Sequence, residues 1–548
     1  MQFKHPSVRR TAALLAVPAL ALSALAVSPA PASAAAGADP APATAAGTWL
    51  YGQLTDGLVH NQQYDFDDYG LTIDAGLALH AVGAPEAAVD AISDAIAANI
   101  DAYVAPGYGT NLSAGGTAKA LVLATAAGAD PASYGGRDLV TDLEGRVATD
   151  GAIAGRIQDD WDASDPYGAD YANVLGQAYA VEGLDAVDSS RTDSATDFLL
   201  EQQCSSGFFR LNLSTADAAD QTCDGSDGQP SVDATAIAVE ALQSQVDDTD
   251  VAAHVDAAIA WLESQQNDDG SFGSDADIPA GNANSTGLAG YALLLGDRTG
   301  AAARSASWLR AHQATNVANC VYYDASDVGA VVYDDAALTA AQGGAMDAAA
   351  LDQSVRATAQ ALPALLAAPA ADGDANVLFT AEYVKAGGKK PVGVTGAAPG
   401  EALCAMLGEQ SVLGYADGDG EAELAVLIPK KTATSKVKVA NATGKIGSAE
   451  INALGAKKLK VSLAAKVKKG TKQTIKVTGL APGESVTVSV TWPSTGHGGS
   501  GSGSGGQANG KGVYTTSLKA QSPTGKAKVK VVGQFKNRKA STTFVITK

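Results

Sequence analysis

Between residues 35 and 375 this sequence has almost no lysine. Lys119 stands alone there with nine arginines against 50 acidic residues, a balance of −40. So acidic a stretch excludes a nucleic-acid partner, because phosphate binding needs clustered Lys and Arg. Aromatic residues are scarce, at 5% of 548. Only four cysteines occur, with no CxxC and no Cys/His cluster at zinc spacing, which excludes a structural zinc site; no cofactor is expected. After residue 34 no run of 18 apolar residues exists, so no transmembrane helix is expected there. What is present is ordinary for folded protein: 46% hydrophobic and 18% charged residues, in a length that admits three domains of about 150 residues. Residues 376–548 reverse the charge, with 25 basic and 9 acidic side chains, or +16.

The first 34 residues read as a signal peptide. Lys4, Arg9 and Arg10 precede an apolar run from Thr11 to Val27, and Ala32-Ser33-Ala34 supplies a cleavage site. The expected product starts near Ala35 and is exported, either secreted or held at the cell wall, where disulfides are permitted. Cys204 and Cys223 bracket a polar loop and are expected to pair. Cys320 and Cys404 remain. They form either a bridge between two domains or two unpaired thiols, and the sequence does not bring them together.

A repeat organises the acidic part. The pattern T-x-x-A-x-x-A-L starts at Thr72, Thr235, Thr286 and Thr358, with looser copies at Thr117 and Asn173. Its two alanines fall on one helical face, where small side chains let neighbouring helices approach. A second unit alternates with it. Phe198-Leu199…Gln203 leads to Gly207-Phe208-Phe209, and Trp261-Leu262…Gln266 leads to Asp269-Gly270-Ser271-Phe272-Gly273 at the same spacing. An aromatic-Leu pair buries a helix end, Gly permits the reversal, and the next aromatic packs back. The product is a helical hairpin repeated about six times.

The unit at Trp261–Gly273 resembles the QW motif of the prenyltransferase and squalene-oxidase repeat family, with Phe272 where tryptophan is usual. That resemblance implies an α/α toroid, with six helices inside and six outside, over residues 48–369, preceded by a linker at 35–47. The toroid hosts unrelated functions, so it identifies fold better than activity. Terpenoid cyclases in this family use a D-x-D-D acid. Asp65-Phe66-Asp67-Asp68 resembles it and makes Asp65, Asp67 and Asp68 the catalytic candidates, but Thr72 lies four residues beyond Asp68 instead of directly following. The alternative is a solvated or helix-capping acid cluster. Trp161, Phe208 and Phe272 are candidates for lining a ligand cavity. Asp159-Asp160-Trp161-Asp162 with Asp165 and Tyr167 fits either a carbohydrate-active loop or a merely polar one.

Residues 376–453 and 456–548 resemble tandem immunoglobulin-like β-sandwiches. Val394-Thr395-Gly396-Ala397-Ala398-Pro399-Gly400-Glu401 recurs as Val477–Glu484, and Val486, Val488 and Val490 alternate as on a half-buried strand. Cys404 falls at the register of Thr487 and is expected to point out of its own sandwich. The Gly/Ser run from Gly496 to Gly512 is expected to be a flexible loop. The lysines form either a solvated surface or a contact for an anionic cell-wall polymer. The sequence as a whole reads as an exported binding or surface-associated toroid protein for a small molecule or glycan. The alternatives are a cyclase-like enzyme, a carbohydrate-active toroid or a carrier built like the cobalamin carriers.

Overall fold

The computed structural model describes residues 37–107, 109–226, 228–275, 277–379, 383–494, 501–521 and 523–548. The expected signal peptide lies outside the described residues. Among the described residues fourteen α-helices, with a few short strands in their connections, precede the C-terminal sheets: α1 (Ala41–Gly52), α2 (Tyr69–Ala81), α3 (Glu86–Ala98), α4 (Ile100–Val104), α5 (Ala114–Ala126), α6 (Leu139–Glu144), α7 (Val174–Ala186), α8 (Thr192–Leu200), α9 (Val232–Leu242), α10 (Thr249–Gln265), α11 (Ala283–Leu295), α12 (Thr299–Ala311), α13 (Asp335–Ala341) and α14 (Ala348–Ala361). Helices α2, α5, α7, α9, α11 and α14 pack side by side in that order, and α14 returns to α2. Around this closed ring, α3, α6, α8, α10, α12 and α1 back onto α2, α5, α7, α9, α11 and α14 respectively. No described helix is long and apolar enough to cross a membrane.

The repeated threonine explains why each inner helix sits where it does. Thr72, Thr235, Thr286 and Thr358 are fully buried. Their hydroxyls accept the backbone N–H of Val59, Phe209, Phe272 and Val331, each at 2.9 Å. Thr72, Thr117 and Thr235 also donate to the carbonyl four residues back, at 2.7 Å. One small side chain thereby satisfies a buried loop amide and clips the loop to the helix, a group that would otherwise cost ~1–3 kcal/mol. In α7 the assigned start needs correction. Asn173 is the helix N-cap, and Gln177 holds the threonine position: its Oε1 accepts from Ile157 N at 2.9 Å.

The glutamines of the second unit tie each outer helix to the next. Gln203 Nε2 donates to Gly207 O and His254 O, and Gln266 Nε2 donates to Gly270 O and Ala301 O. Gln313 Nε2 donates to Gly329 O and then to Pro42 O at the start of α1, which closes the ring. Gly270 shows why the turn needs glycine. Its φ is +91°, and a Cβ would lie 2.5 Å from the carbonyl oxygen of Arg304 on α12. Ring closure also corrects the expected linker at 35–47. Helix α1 begins at Ala41, and Asp39 N donates to Ala368 O at 2.7 Å.

Two β modules follow, each made of two sheets around one apolar core. In the first, Val392, Leu403, Leu424, Val437 and Ile451 fill the space between a five-stranded and a three-stranded sheet. The expected Cys204–Cys223 disulfide forms, with Cα atoms 4.9 Å apart, and of the two alternatives for Cys320 and Cys404 the bridge is the one present, at 5.8 Å. Strand alternation turns Leu403 and Ala405 into the module core and Cys404 toward the ring, where it packs with Val317 and Cys320. Tyr323 OH and Tyr415 OH, 2.7 Å apart, reinforce this junction.

The expected flexible loop at Gly496–Gly512 is in part a strand. Residues 495–500 lie outside the described residues, but Gly501–Gln507 pairs antiparallel with Ser485–Thr491 along its whole length. The alternation of Gly and Ser permits it. The glycines face solvent beside the Val carbonyls, while Ser502 accepts from Trp492 Nε1 and Ser504 bonds Tyr514 and Thr516.

Candidate ligand site in the lumen of the helical ring

Numbering each inner helix from its buried threonine (or Gln177) shows which side chains face the ring axis. Positions two before, two after and five after that residue are spaced i, i+4, i+7, one face of a helix. The position two after is Asp74 on α2, Lys119 on α5 and Tyr179 on α7; the position five after is Glu182 on α7, Glu240 on α9 and Tyr291 on α11. All six are partly accessible although they lie on the inner ring, as side chains around a lumen should be.

The lone lysine of the acidic region is central to this group. Lys119 Nζ lies 2.5 Å from Asp74 Oδ1, donates to Gly70 O at 3.0 Å and stands 5.6 Å from the Tyr179 ring centroid. Lys119 and Asp74 are only 15% and 17% exposed. Burial pushes against the ammonium charge, but the Asp74 carboxylate prevails and holds the lysine above its ordinary value. With Lys119 taken by Asp74, the glutamates one turn deeper have no cation. Among the described residues no hydrogen bond or ion pair reaches the side-chain carboxyl of Glu182 or Glu240. Burial, then the charge of Glu240, pushes Glu182 up to about 8; burial, then the charge of Asp74, pushes Glu240 up to about 7. The same surroundings raise Tyr179, through burial first, then the charge of Asp74 and then the glutamates, and Tyr291, through burial first and the glutamates second. Both glutamates are thus pushed toward their protonated forms, and an entering positive charge would push them back toward the ionised ones.

The longest connections, 145–173 and 201–231 among them, enter the N-terminal ends of the inner helices, and they form one mouth of the ring. Tyr64 and Phe66 precede α2, and Trp161, Tyr167 and Tyr171 precede α7, all with exposed rings. Trp161 pairs with Thr110 in a two-stranded ladder on this rim. Around it, the acids of the Asp159–Asp165 segment hold the loop together. Asp159 Oδ1 and Oδ2 accept from Ala114 N and Tyr171 N, Asp162 accepts from Ser164, and Asp165 accepts from Tyr167 N.

The remaining sequence candidates sit elsewhere. Asp65 is 97% exposed, with φ +57°. Asp67 Oδ1 bonds His60 Nδ1 at 2.9 Å, which with the nearby charges raises the imidazole. Asp68 caps α2 by accepting Leu71 N, and lies 3.3 Å from Arg356. Asp65 and Asp67 are thus brought to the surface of the mouth, while Asp68, 19% exposed, is held at its edge by Leu71 N and Arg356. Phe272 is buried in the helical core. Phe208 packs at 5.5 Å on Trp261 beside the Cys204–Cys223 bridge. Both fill space between helices, which corrects the expectation that they line a cavity; of the three aromatics, only Trp161 reaches the mouth.

No family model matches the chain, and no curated protein is similar to it. Among solved structures, the apo form of the type II terpene cyclase MstE from Scytonema is 17% identical, covering 60% of this chain and 96% of that one, with a TM-score of 0.41. A protein from Actinoplanes is 19% identical over 60% of this chain and 99% of its own, with a TM-score of 0.40. The adhesin InvE of Yersinia pseudotuberculosis is 15% identical over 32% of this chain and 58% of its own, with a TM-score of 0.18.

Sequence reasoning noticed Lys119 but missed Glu182 and Glu240. The signal was present. Starting the α7 copy at Gln177 instead of Asn173 puts both glutamates five residues past the repeat start, in register with Tyr291.

Proposed function

We propose that the protein is an exported binding protein whose ring lumen takes a small, hydroxyl-rich ligand carrying an amine, of the amino-sugar class. The observation that carries this reading is the uncompensated pair Glu182 and Glu240, left without a cation because the one lysine nearby is bound to Asp74. Tyrosines in the lumen and exposed rings at its mouth supply the flat apolar faces that sugar rings stack on. The two disulfides support export. The two-sheet modules support the reading of tandem immunoglobulin-like sandwiches that carry the toroid.

Calorimetric titration with glucosamine and with glucose tests it. Glucosamine should bind at least tenfold tighter, and at pH 7 should release a proton that appears as a dependence of the observed heat on the buffer's ionisation enthalpy. Glu182→Gln/Glu240→Gln should abolish both the preference and the proton release. Equal affinity for the two sugars, or an unaffected double variant, would overturn the reading.

The same pair favours a second reading. A carboxyl whose burial raises its affinity for a proton suits a general acid, so a cyclase-like enzyme here would use Glu182 or Glu240 and not Asp65, Asp67 and Asp68. Turnover of a prenyl substrate that survives Asp67→Asn and is lost in Glu182→Gln would select it.

A further inference from the structure

The positive charge of the C-terminal half is not shared between its modules. Residues 376–455 contain eight basic and eight acidic side chains, whereas 456–548 contain 17 basic and one acidic. The single acid, Glu484, is fully buried, and Arg538 holds it through Nε–Oε1 at 2.6 Å and Nη2–Oε2 at 2.7 Å. Nothing negative is left for solvent. All sixteen lysines of the second module are exposed, and no ion pair among the described residues reaches them.

Strand register gathers several of them on one face. Lys528, Lys530 and Val532 stand opposite Thr543, Ser541 and Lys539, and Lys458 stands beside Lys539 in parallel. Paired residues point to the same side of a sheet, so this face carries Lys458, Lys528, Lys530 and Lys539 with two hydroxyls, while Val529, Val531 and Phe544 fill the core behind it. Lys457 joins the four around an open groove of about 770 Å³. Lysines two apart on a strand are ~7 Å apart, and neighbouring strands add further rows at ~5 Å. That is a track of point charges, not a pocket for one compact anion.

We infer that this groove binds a linear, phosphate-bearing polymer in extended form. The groove offers no aromatic ring for base stacking, and no helix among the described residues of 456–548 could enter a major groove, so the occupant is one read by charge and not by bases. The hydroxyls of Ser541 and Thr543 beside the lysines suit acceptor-rich phosphate better than carboxylate. The ring, at −40, repels the same polymer and confines the contact to the second module.

The test uses the full chain and immobilised long-chain inorganic polyphosphate, with affinity measured between 50 and 200 mM salt. Two variants carry equal charge loss: Lys458→Gln/Lys528→Gln/Lys530→Gln/Lys539→Gln in the groove, and Lys460→Gln/Lys472→Gln/Lys476→Gln/Lys519→Gln on the opposite sheet. All eight positions are exposed, and circular dichroism checks that both variants fold. The groove variant should bind at least tenfold more weakly and lose about 3 units from the slope of log K against log salt, at ~0.7 per contacted phosphate. The opposite variant should change less than threefold. Equal losses in the two variants, no binding at 50 mM salt, or polyglutamate bound as tightly as polyphosphate would each overturn the inference. So would a salt-dependent dimer abolished by the groove variant, which would make the acidic ring of a second copy the occupant.

Discussion

The ring and the second β module use charge in opposite ways. In the ring, most of the acids sit outside, and the few that matter chemically are held on the inner face, where each lost or gained partner changes the state of its neighbours. In the second module every lysine is in water, and the one carboxylate is buried and matched by Arg538. Net charge therefore says little about either region until position is known. Asp74, Lys119, Glu182 and Glu240 are a minor fraction of the charged residues between 35 and 375, yet they stand at inner-face positions of the ring helices. The lysines act through number and spacing instead.

The largest expected break in this comparison is Arg538→Met. It leaves Glu484 buried without its cation and removes donors from Gly455 O and Gly479 O, a loss of about 3–5 kcal/mol for a broken buried pair. In scanning calorimetry the second module's transition should fall sharply while the ring's stays in place. Replacing both partners, as Glu484→Leu/Arg538→Met, should restore much of the loss. If the single variant melts normally, the buried pair is not what holds the module's end together.

Next in size is Gln177→Ala, the matching break in the ring. Gln177 accepts Ile157 N–H and donates to Gly155 O and Ala195 O, all in a fully buried setting. Removing it strands those groups at a cost of about 1–3 kcal/mol. Urea unfolding followed by far-ultraviolet circular dichroism should show the ring weakened and the strands unaffected.

This residue also marks how far the sequence could be read. The threonine period and the glutamine-glycine unit were legible because the same buried hydrogen bonds recur in successive hairpins, so the repeated helical hairpin followed from repetition and the toroid from the family resemblance. The lumen was not legible in the same way. A one-turn error at Asn173 scattered Glu182 away from Glu240, and no local pattern distinguishes a carboxylate facing an axis from one facing water. Phe208 and Phe272 misled for a related reason: an aromatic beside a turn packs equally well into a core or a cavity, and only the neighbouring helices decide. The strand at Gly501–Gln507 was hidden by composition, since Gly and Ser carry no strand preference of their own and pair there because Ser485–Thr491 presents a free edge.

A smaller effect separates the two regions by pH. Glu182 and Glu240 hold their protons more tightly in the folded ring than in the unfolded chain, where a glutamate titrates near ~4.3. A group raised in this way stabilises the fold at low pH and loses that contribution as pH rises through its folded value. The ring should therefore melt several degrees lower at pH 9 than at pH 5, with the decline spread over the interval up to about 8. Glu182→Gln/Glu240→Gln should flatten that decline. A ring whose melting is flat with pH before substitution would show that water or an ion already compensates the pair.

The smallest effects are expected within the run Asp65–Asp68, where three acids share one loop and differ only in position. Asp68 caps α2 through Leu71 N and meets Arg356, so Asp68→Ala should cost about 1 kcal/mol of ring stability. Asp67 supports His60, and Asp67→Asn should lower the imidazole's titration, visible by nuclear magnetic resonance, with little change in melting. Asp65 points into solvent at a positive φ that asparagine tolerates as well, so Asp65→Asn should stay within ~0.5 kcal/mol of the parent. None of the three should alter the preference for an amine in the lumen, because all precede the first turn of α2 at the mouth while Glu182 and Glu240 lie five residues past the repeat position, deeper along the inner helices. A variant of Asp65 that weakened ligand binding as much as Glu240→Gln would move the decisive acid from the lumen to its rim, and position along the helix would no longer be what distinguishes the working carboxylates from the solvated ones.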